Sequence, residues 1–134
     1  MLNWMRDDII TEHENVDLWE VLVPVHMYGP MPFTTSSKSE KRRTFDNVFT
    51  INVGHHEEFD RFIKETTNGG LTLLNKVKGQ WYNGTVLEHE TMIPVRFMAC
   101  SSKALDIAKF ARFHYDQSAI LMYKISDCLI MQRK

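Results

Sequence analysis

The chain has 134 residues, of which 43% are hydrophobic and 25% charged, and its net charge is -1. This is the composition of one globular domain that can bury a core without disulfides or metals. Its 16 basic and 17 acidic residues give no excess of positive charge for nucleic acid or for an anionic membrane surface. We therefore expect no nucleic-acid and no membrane partner.

The first ten residues do not resemble a secretory signal. They carry three charged side chains where a signal peptide has an apolar run. No apolar stretch approaches the roughly 20 residues that a membrane span needs. Cys100 and Cys128 stand in or beside apolar runs, which favours reduced, buried thiols in a cytoplasmic protein, with a disulfide as the alternative.

The pattern divides the chain into an N-terminal arm, residues 1–17, and a single α+β domain, residues 18–134. The β-branched run at 18–27 predicts a strand, in which Pro24 indicates an edge or a bulge. A loop follows to about residue 43. Its basic run at 38–43 is interpreted as a solvated loop or as a phosphate-binding patch.

Two further elements complete the first half of the domain. A short β-rich run at 47–53, ended by Gly54, predicts an inserted strand. Residues 55–66 show the i, i+3, i+4 apolar spacing of a helix with one buried face. The Asn68-Gly69-Gly70 sequence then predicts the end of the helix.

The whole chain is predicted to run strand, helix, strand, strand, helix, strand, with additional short elements. Strands are predicted at 71–82 and 85–100, and Asn83-Gly84 between them is typical of a two-residue hairpin turn.

A helix at 103–116 is predicted to be capped by Ser101 and Ser102. Its apolar stripe is Ala104, Ile107, Ala108, Ala111 and Tyr115, widened by Leu105, Phe110 and Phe113. A strand at 119–125, a turn at 126–127 and a closing strand at 128–131 follow. The order predicts a ferredoxin-like split βαβ fold, an antiparallel sheet with two helices on one face. This fold supports many functions and so decides none.

No metal-binding or phosphate-binding motif is evident. His55 and His56 are adjacent, so their side chains diverge on a helix. The remaining histidines, His13, His26, His89 and His114, have no ligand spacing with one another. Gly69-Gly70 follows a helix rather than opening one. We therefore predict no metal ion and no cofactor.

The segment from Trp81 to Thr91 has an unusual pattern. Strand alternation places Glu88 and Glu90 on one face, where two carboxylates repel each other unless a cation lies between them. The neighbouring Trp81 and Tyr82 carry aromatic rings, whose faces attract cations. The segment is therefore a solvated strand face or a pocket for a small organic cation.

The C-terminal half resembles the phage-encoded S-adenosylmethionine lyases, formerly described as hydrolases. The matching features are Ala-Leu and a later Ala in the helix from Lys103, the acid-Gln pair Asp116-Gln117, and the Leu-x-Tyr-Lys strand at 121–124. Upstream, residues 90–96 repeat the family pattern Glu-x-x-hydrophobic-x-Val-Arg. The resemblance covers residues 19–131, and its specific motifs lie between about 90 and 125.

The resemblance implies a PII-like homotrimer with its active site between subunits. It implies Glu90 and Tyr82 as catalytic residues and Asp127, a second acidic group near the final hairpin, as a substrate-binding residue. The pattern of the segment itself adds Trp81 and Glu88 as substrate-binding residues. In such enzymes the substrate's own carboxylate can attack its γ-carbon, which releases methylthioadenosine and homoserine lactone without a metal. Glu90 would orient the substrate ammonium group, while Trp81 and Tyr82 would face the sulfonium or the adenine.

By the same resemblance the protein acts in the host cytoplasm, where it depletes the methyl donor and so blunts methylation-dependent restriction. It stays open whether water, rather than the substrate carboxylate, is the nucleophile. Two other functions also stay open: a PII-like trimer that binds a nucleotide without turnover, and a phage inhibitor that acts by surface contact with a host protein.

Overall fold

A computed structural model describes residues 15–27, 48–82 and 84–129 of the chain. The predicted arm up to residue 14, the basic run at 38–43 and the turn residue Asn83 lie outside the described residues. The elements are β1 (Asn15–Pro24), β2 (His26–Met27), β3 (Phe49–Thr50), α1 (Val53–Thr67), β4 (Leu71–Leu73), β5 (Val77–Tyr82), β6 (Leu87–Ala99), α2 (Ser101–His114) and β7 (Met122–Leu129).

Five strands form one antiparallel sheet. β1 and β6 lie in its centre, β7 pairs with β1, and β4 and β5 pair one after the other with the long strand β6. The sequence order of the strands is therefore not their spatial order, and α1 and α2 are the crossovers that connect them. The predicted antiparallel sheet with two helices, a small ferredoxin-like α+β fold, is confirmed.

Both helices pack on the same face of the sheet. The buried residues that join the two layers are Val21, Val23, Ile51, Phe59, Ile63, Val95, Phe97, Ala99, Ala104, Ile107, Ala111 and Tyr115. Along β1 and β6 these core residues alternate with residues of the opposite face, as the two-residue period of a strand requires. We call that opposite face, which carries no described helix, the open face. Neither described helix is long and apolar enough to cross a membrane.

The structure corrects several predicted strand boundaries. β1 begins at Asn15, so the last three residues of the predicted arm belong to the sheet. The strand predicted at 71–82 is divided into β4 and β5 by residues 74–76. The turn predicted at 126–127 lies inside one continuous strand, β7, because these residues continue the pairing with β1.

Helix α1 begins earlier than predicted and ends as predicted. The Asn52 side chain accepts a hydrogen bond from the His55 backbone N–H at 2.8 Å and caps the helix. Gly54 is therefore inside the helix rather than at the end of the preceding strand. Asn68 adopts the left-handed conformation, with φ 51°, at the C-terminal cap.

The predicted cap of α2 is wrong. Cys100 occupies the N-cap position, and Ser101 and Ser102 lie within the first turn. The predicted stripe of this helix is buried except at Ala108, which is half-buried, and Leu105 and Phe113 do not widen it, since Phe113 is 84% exposed. The buried face of α2 is therefore narrower than the sequence pattern predicts.

Candidate functional site

The β5–β6 hairpin brings three of the predicted site residues together. In its register Trp81 lies opposite Glu88, and Gly79 lies opposite Glu90. The Trp81 indole Nε1–H donates a hydrogen bond to the Glu90 carboxylate at 3.1 Å. An indole ring and a carboxylate are thus held in contact, and the second carboxylate, Glu88, lies opposite the same indole in the register.

Gly79, opposite Glu90, leaves room for the end of a neighbouring side chain because it has no side chain of its own. A Cβ atom added there would lie 2.3 Å from the terminal methyl carbon of Met92, whose buried side chain covers this position. The same Cβ would lie 3.5 Å from the Trp81 indole nitrogen. A larger residue here would therefore have to displace the flexible end of the Met92 side chain, whereas its distance to Trp81 is an ordinary van der Waals contact.

The other two predicted site residues, Tyr82 and Asp127, are not brought to this contact. Tyr82 follows Trp81 and so points to the opposite side of the hairpin, where it is 71% exposed and its hydroxyl donates to the Gly84 carbonyl at 2.9 Å. Asp127 lies on β7, at the far edge of the sheet from β5. One chain does not bring these two residues to Glu90.

Asp127 has a local ion partner. Its carboxylate lies 3.0 Å from the Lys124 ammonium group, three residues earlier on the same strand. The hydrogen bond and charge of Lys124 lower the pKa of the Asp127 carboxyl group, and Asp127 in turn raises the pKa of Lys124. Because both groups are at the surface, the pair is weakly stabilising at most.

A cleft of about 300 Å³ lies at the base of the hairpin. It is lined by His26, Lys78, His89, Glu90 and Thr91. This volume is at the low end of the range for ligand pockets, which is about 300–1,000 Å³. Glu90 therefore borders a concave surface that would need further walls to enclose a molecule as large as a nucleoside joined to an amino acid.

A second polar group, which the sequence analysis missed, lies on the open face. Glu20 is 5% exposed, and its carboxylate accepts hydrogen bonds from the Arg96 Nε atom at 2.9 Å and from the Tyr123 hydroxyl. The sequence does carry a signal for it, because Glu20 and Arg96 each stand between apolar neighbours within their strands. A charge that folding buries in such a strand needs a partner on the neighbouring strand.

Two histidines that the sequence spacing does not connect, His55 and His114, are in contact. The rings of His55 and His114 stack 3.7 Å apart at an angle of 8°. Each Nε2 atom lies 2.6–2.7 Å from the main-chain carbonyl of the other histidine, so each ring donates from Nε2. Together with the Glu58 carboxylate they place three metal-ligand atoms within 4.8 Å of one another.

This histidine cluster is not arranged to coordinate an ion. A ring nitrogen binds a metal along its lone pair, which lies in the ring plane, and two parallel planes share no point at which one ion could meet both. Coordination would require one ring to rotate out of the stack. The arrangement instead joins the N-terminal turn of α1 to the C-terminal turn of α2.

The adjacent His56 contacts the buried Tyr115, whose hydroxyl lies 2.7 Å from Nδ1 of the imidazole. Burial, followed by the charges of His55, His114 and Lys76, lowers the pKa of His56. Burial also raises the pKa of the Tyr115 phenol, so it stays protonated and donates to the imidazole. The neutral forms of both groups are therefore favoured.

The two cysteines are free thiols, and neither is fully buried as predicted. Cys100 lies at the N-terminus of α2, where a side-chain hydrogen bond with Ser102 and a backbone hydrogen bond at Lys103 lower the pKa of the thiol. Burial raises the pKa of Cys128. No disulfide joins them.

No protein-family model and no curated protein matches the chain. Among solved structures, the chain is similar to a Bacillus cereus protein related to NIF3, with a TM-score of 0.53 and 12% sequence identity. The match covers 92% of this chain and 28% of that protein, so the chain spans under a third of its length. At this identity the similarity shows the fold alone.

Proposed function

We propose that the protein is an S-adenosylmethionine lyase of the phage type, which produces methylthioadenosine and homoserine lactone. The observation that supports this most directly is the hydrogen bond between Trp81 and Glu90, which fixes an aromatic ring beside a carboxylate. Such a pair recognises organic cations through the ring face and through charge-assisted hydrogen bonds. S-adenosylmethionine carries two cationic groups, the sulfonium and the α-ammonium.

The reaction asks little of the protein beyond binding and orientation. The substrate carboxylate oxygen forms a bond to the γ-carbon while the bond from that carbon to sulfur breaks, and the electron pair stays on the sulfur of methylthioadenosine. Glu90 holds the ammonium group so that the methionine chain folds into this attack geometry. Proximity and exclusion of water then supply the rate enhancement without a metal.

The proposed active form is a homotrimer with its site between subunits. Glu90 borders a cleft that is small for this substrate, and a neighbouring subunit would supply the missing walls. The same arrangement would allow Tyr82 and Asp127 to reach a substrate bound at Glu90 of another subunit. In the infected cell the lyase would act in the host cytoplasm and limit methylation-dependent restriction.

A second function is favoured by the composition of the cleft. Lys78, His26 and His89 are basic or neutral donors that suit a phosphate group, as in a PII-like regulator that binds a nucleotide without turnover. The two functions differ in one measurable respect. The lyase consumes S-adenosylmethionine, whereas the regulator binds ATP or ADP and leaves it unchanged.

The test is incubation of the purified protein with S-adenosylmethionine, with products identified by liquid chromatography and mass spectrometry. We expect methylthioadenosine and homoserine lactone, with the lactone preceding any homoserine. If homoserine is formed first, the nucleophile is water rather than the substrate carboxylate. No turnover together with ATP binding would favour the regulator. Chelator treatment should not change the rate. A rate that is lost with chelator and restored by zinc would contradict the metal-free mechanism.

A further inference from the structure

The open face carries a polar row that crosses four strands. In register, Thr72 of β4 lies beside Arg96 of β6, Arg96 beside Glu20 of β1, and Glu20 beside Tyr123 of β7. The neighbouring pairs on this face are apolar, Leu22 with Pro94 and Leu18 with Met98. The row is therefore a localised polar feature among apolar side chains, of which Pro94 is buried and Met98 is exposed.

Glu20 is the buried charged side chain among the described residues, and both of its oxygens are engaged. Arg96 contacts it through Nε, while its side chain remains 41% exposed. A guanidinium has five N–H donors in a planar fork that matches a carboxylate. The buried carboxylate thus fixes the guanidinium in one orientation with part of its surface open to a ligand.

We propose that Arg96 binds the α-carboxylate of the substrate and that Glu20 is its positioning residue. This inference rests on the proposed function, and it assigns the substrate's two charged groups to different residues: the ammonium to Glu90 and the carboxylate to Arg96. By holding the carboxylate, which is the nucleophile, Arg96 directs it toward the γ-carbon. The fixed guanidinium orientation is then part of the attack geometry.

The strand geometry requires that these two residues come from different subunits. Glu90 and Arg96 lie six residues apart on the same face of β6, which separates them by about 20 Å at about 3.3 Å per residue. The ammonium and the carboxylate of an amino acid are bonded to one carbon. A site that uses both residues is therefore incomplete without a second copy of the chain.

Ligand binding by three adenosine compounds tests the assignment. S-adenosylhomocysteine has both charged groups, its decarboxylated analogue has only the ammonium, and methylthioadenosine has neither. Arg96→Gln should weaken binding of S-adenosylhomocysteine by about 10- to 100-fold, as expected for loss of a charge-assisted hydrogen bond. Its affinity for the other two compounds should not change. Glu90→Gln should weaken both amine-containing ligands and spare methylthioadenosine.

If Glu20 acts through Arg96, its substitution should weaken the same ligands as substitution of Arg96, as measured by calorimetry. Glu20→Gln keeps an acceptor for Tyr123 and should weaken S-adenosylhomocysteine but not the decarboxylated analogue, which a merely structural role would not produce. Arg96→Gln leaves the buried Glu20 carboxylate without its cation and could destabilise the fold. The double variant Glu20→Gln/Arg96→Gln removes both charges together, and its binding of methylthioadenosine checks that it is folded. Lys103→Gln, an exposed cation on α2, is the matched control.

Mixed oligomers test the two-subunit arrangement. Co-expressed Glu90→Gln and Arg96→Gln chains should recover activity above that of either variant alone, because one interface then combines an intact Glu90 with an intact Arg96. No recovery in verified mixed oligomers would overturn the arrangement. Equal weakening of all three ligands by Arg96→Gln, or none, would overturn the carboxylate assignment. If the wild-type protein binds none of the three, the proposed function itself fails.

Discussion

The seam between α1 and α2 and the β5–β6 hairpin are both rich in aromatic residues, but they use them differently. At the seam the rings contact one another: Phe62, Phe110, His114 and His55 stack in sequence with centroid distances of 4.0, 5.0 and 3.7 Å. At the hairpin, Trp81 and Tyr82 are exposed. The seam has its partners within the chain, and the hairpin presents its groups outward.

This difference indicates which region supports the fold and which is available for binding. The exposed large apolar residues on and around the hairpin are Val77, Trp81, Tyr82, Val86 and Leu87. A cluster of exposed large apolar residues is typical of an interaction or ligand-binding surface. Substitutions at the seam should therefore lower stability, and substitutions at the hairpin should lower activity.

The largest effect is expected from Phe59→Ala at the seam. Phe59 is fully buried and contacts the Tyr115 and Phe110 rings, so its truncation should lower the free energy of unfolding by about 3–5 kcal/mol. Tyr82→Ala is the matched aromatic truncation at the hairpin and should change it by less than about 1 kcal/mol. Urea denaturation followed by circular dichroism measures both. Equal losses would remove the contrast between the two regions.

Glu90→Gln should lower turnover while leaving the fold intact. Loss of a charge-assisted hydrogen bond in a desolvated site costs about 2–4 kcal/mol, or roughly 30- to 1000-fold in rate. Glu88→Gln is the matched control, since Glu88 is more exposed than Glu90 and the indole donates to Glu90 instead. Methylthioadenosine formation is the readout. A wild-type rate for Glu90→Gln would contradict the assignment of this residue.

Gly79→Ala tests the backbone beneath the site. The new methyl group would meet the end of the Met92 side chain. Displacing that side chain should lower the free energy of unfolding by about 1–3 kcal/mol. The displaced Met92 side chain should also weaken ligand binding at Glu90, which lies opposite residue 79 in the register of β5 and β6. Gly70→Ala is the control, because its Cβ would meet no atom within 4 Å. Unchanged stability for Gly79→Ala would show that Met92 has room to move.

The strand and helix order could be predicted because each element carries its own periodicity. Alternation in β6 correctly placed Glu88 and Glu90 on one face, and Asn68 correctly marked the end of α1. The N-cap of α2 was misplaced because serine is the preferred cap, whereas Cys100 is the N-cap and the helix begins at Ser101. Asp127 was assigned to a turn because Ser-Asp is a turn sequence, but pairing with Asp17 overrides that preference.

The contacts of the candidate sites could not be predicted in the same way. His55 and His114 are 59 residues apart, and they meet only because the two helices pack antiparallel. Glu20 and Arg96 are 76 residues apart and depend on the register of β1 with β6. Spacing within one element says nothing about either contact. Such pairs are fixed by tertiary packing, which a single sequence does not display.

The smallest expected effect is a pH dependence of stability that comes from the seam. The pKa of His56 is lowered in the folded protein, so the unfolded chain binds more protons as the pH falls below about 6.5. The free energy of unfolding should therefore be fully retained above this pH and should decline from there down to the folded pKa. His56→Gln preserves an acceptor for the Tyr115 hydroxyl and should make this decline shallower. His89→Gln, an exposed histidine on the hairpin, should leave it unchanged. Denaturation curves at a series of pH values between 5 and 8 measure all three proteins, and an identical decline in His56→Gln would assign the pH dependence to other groups.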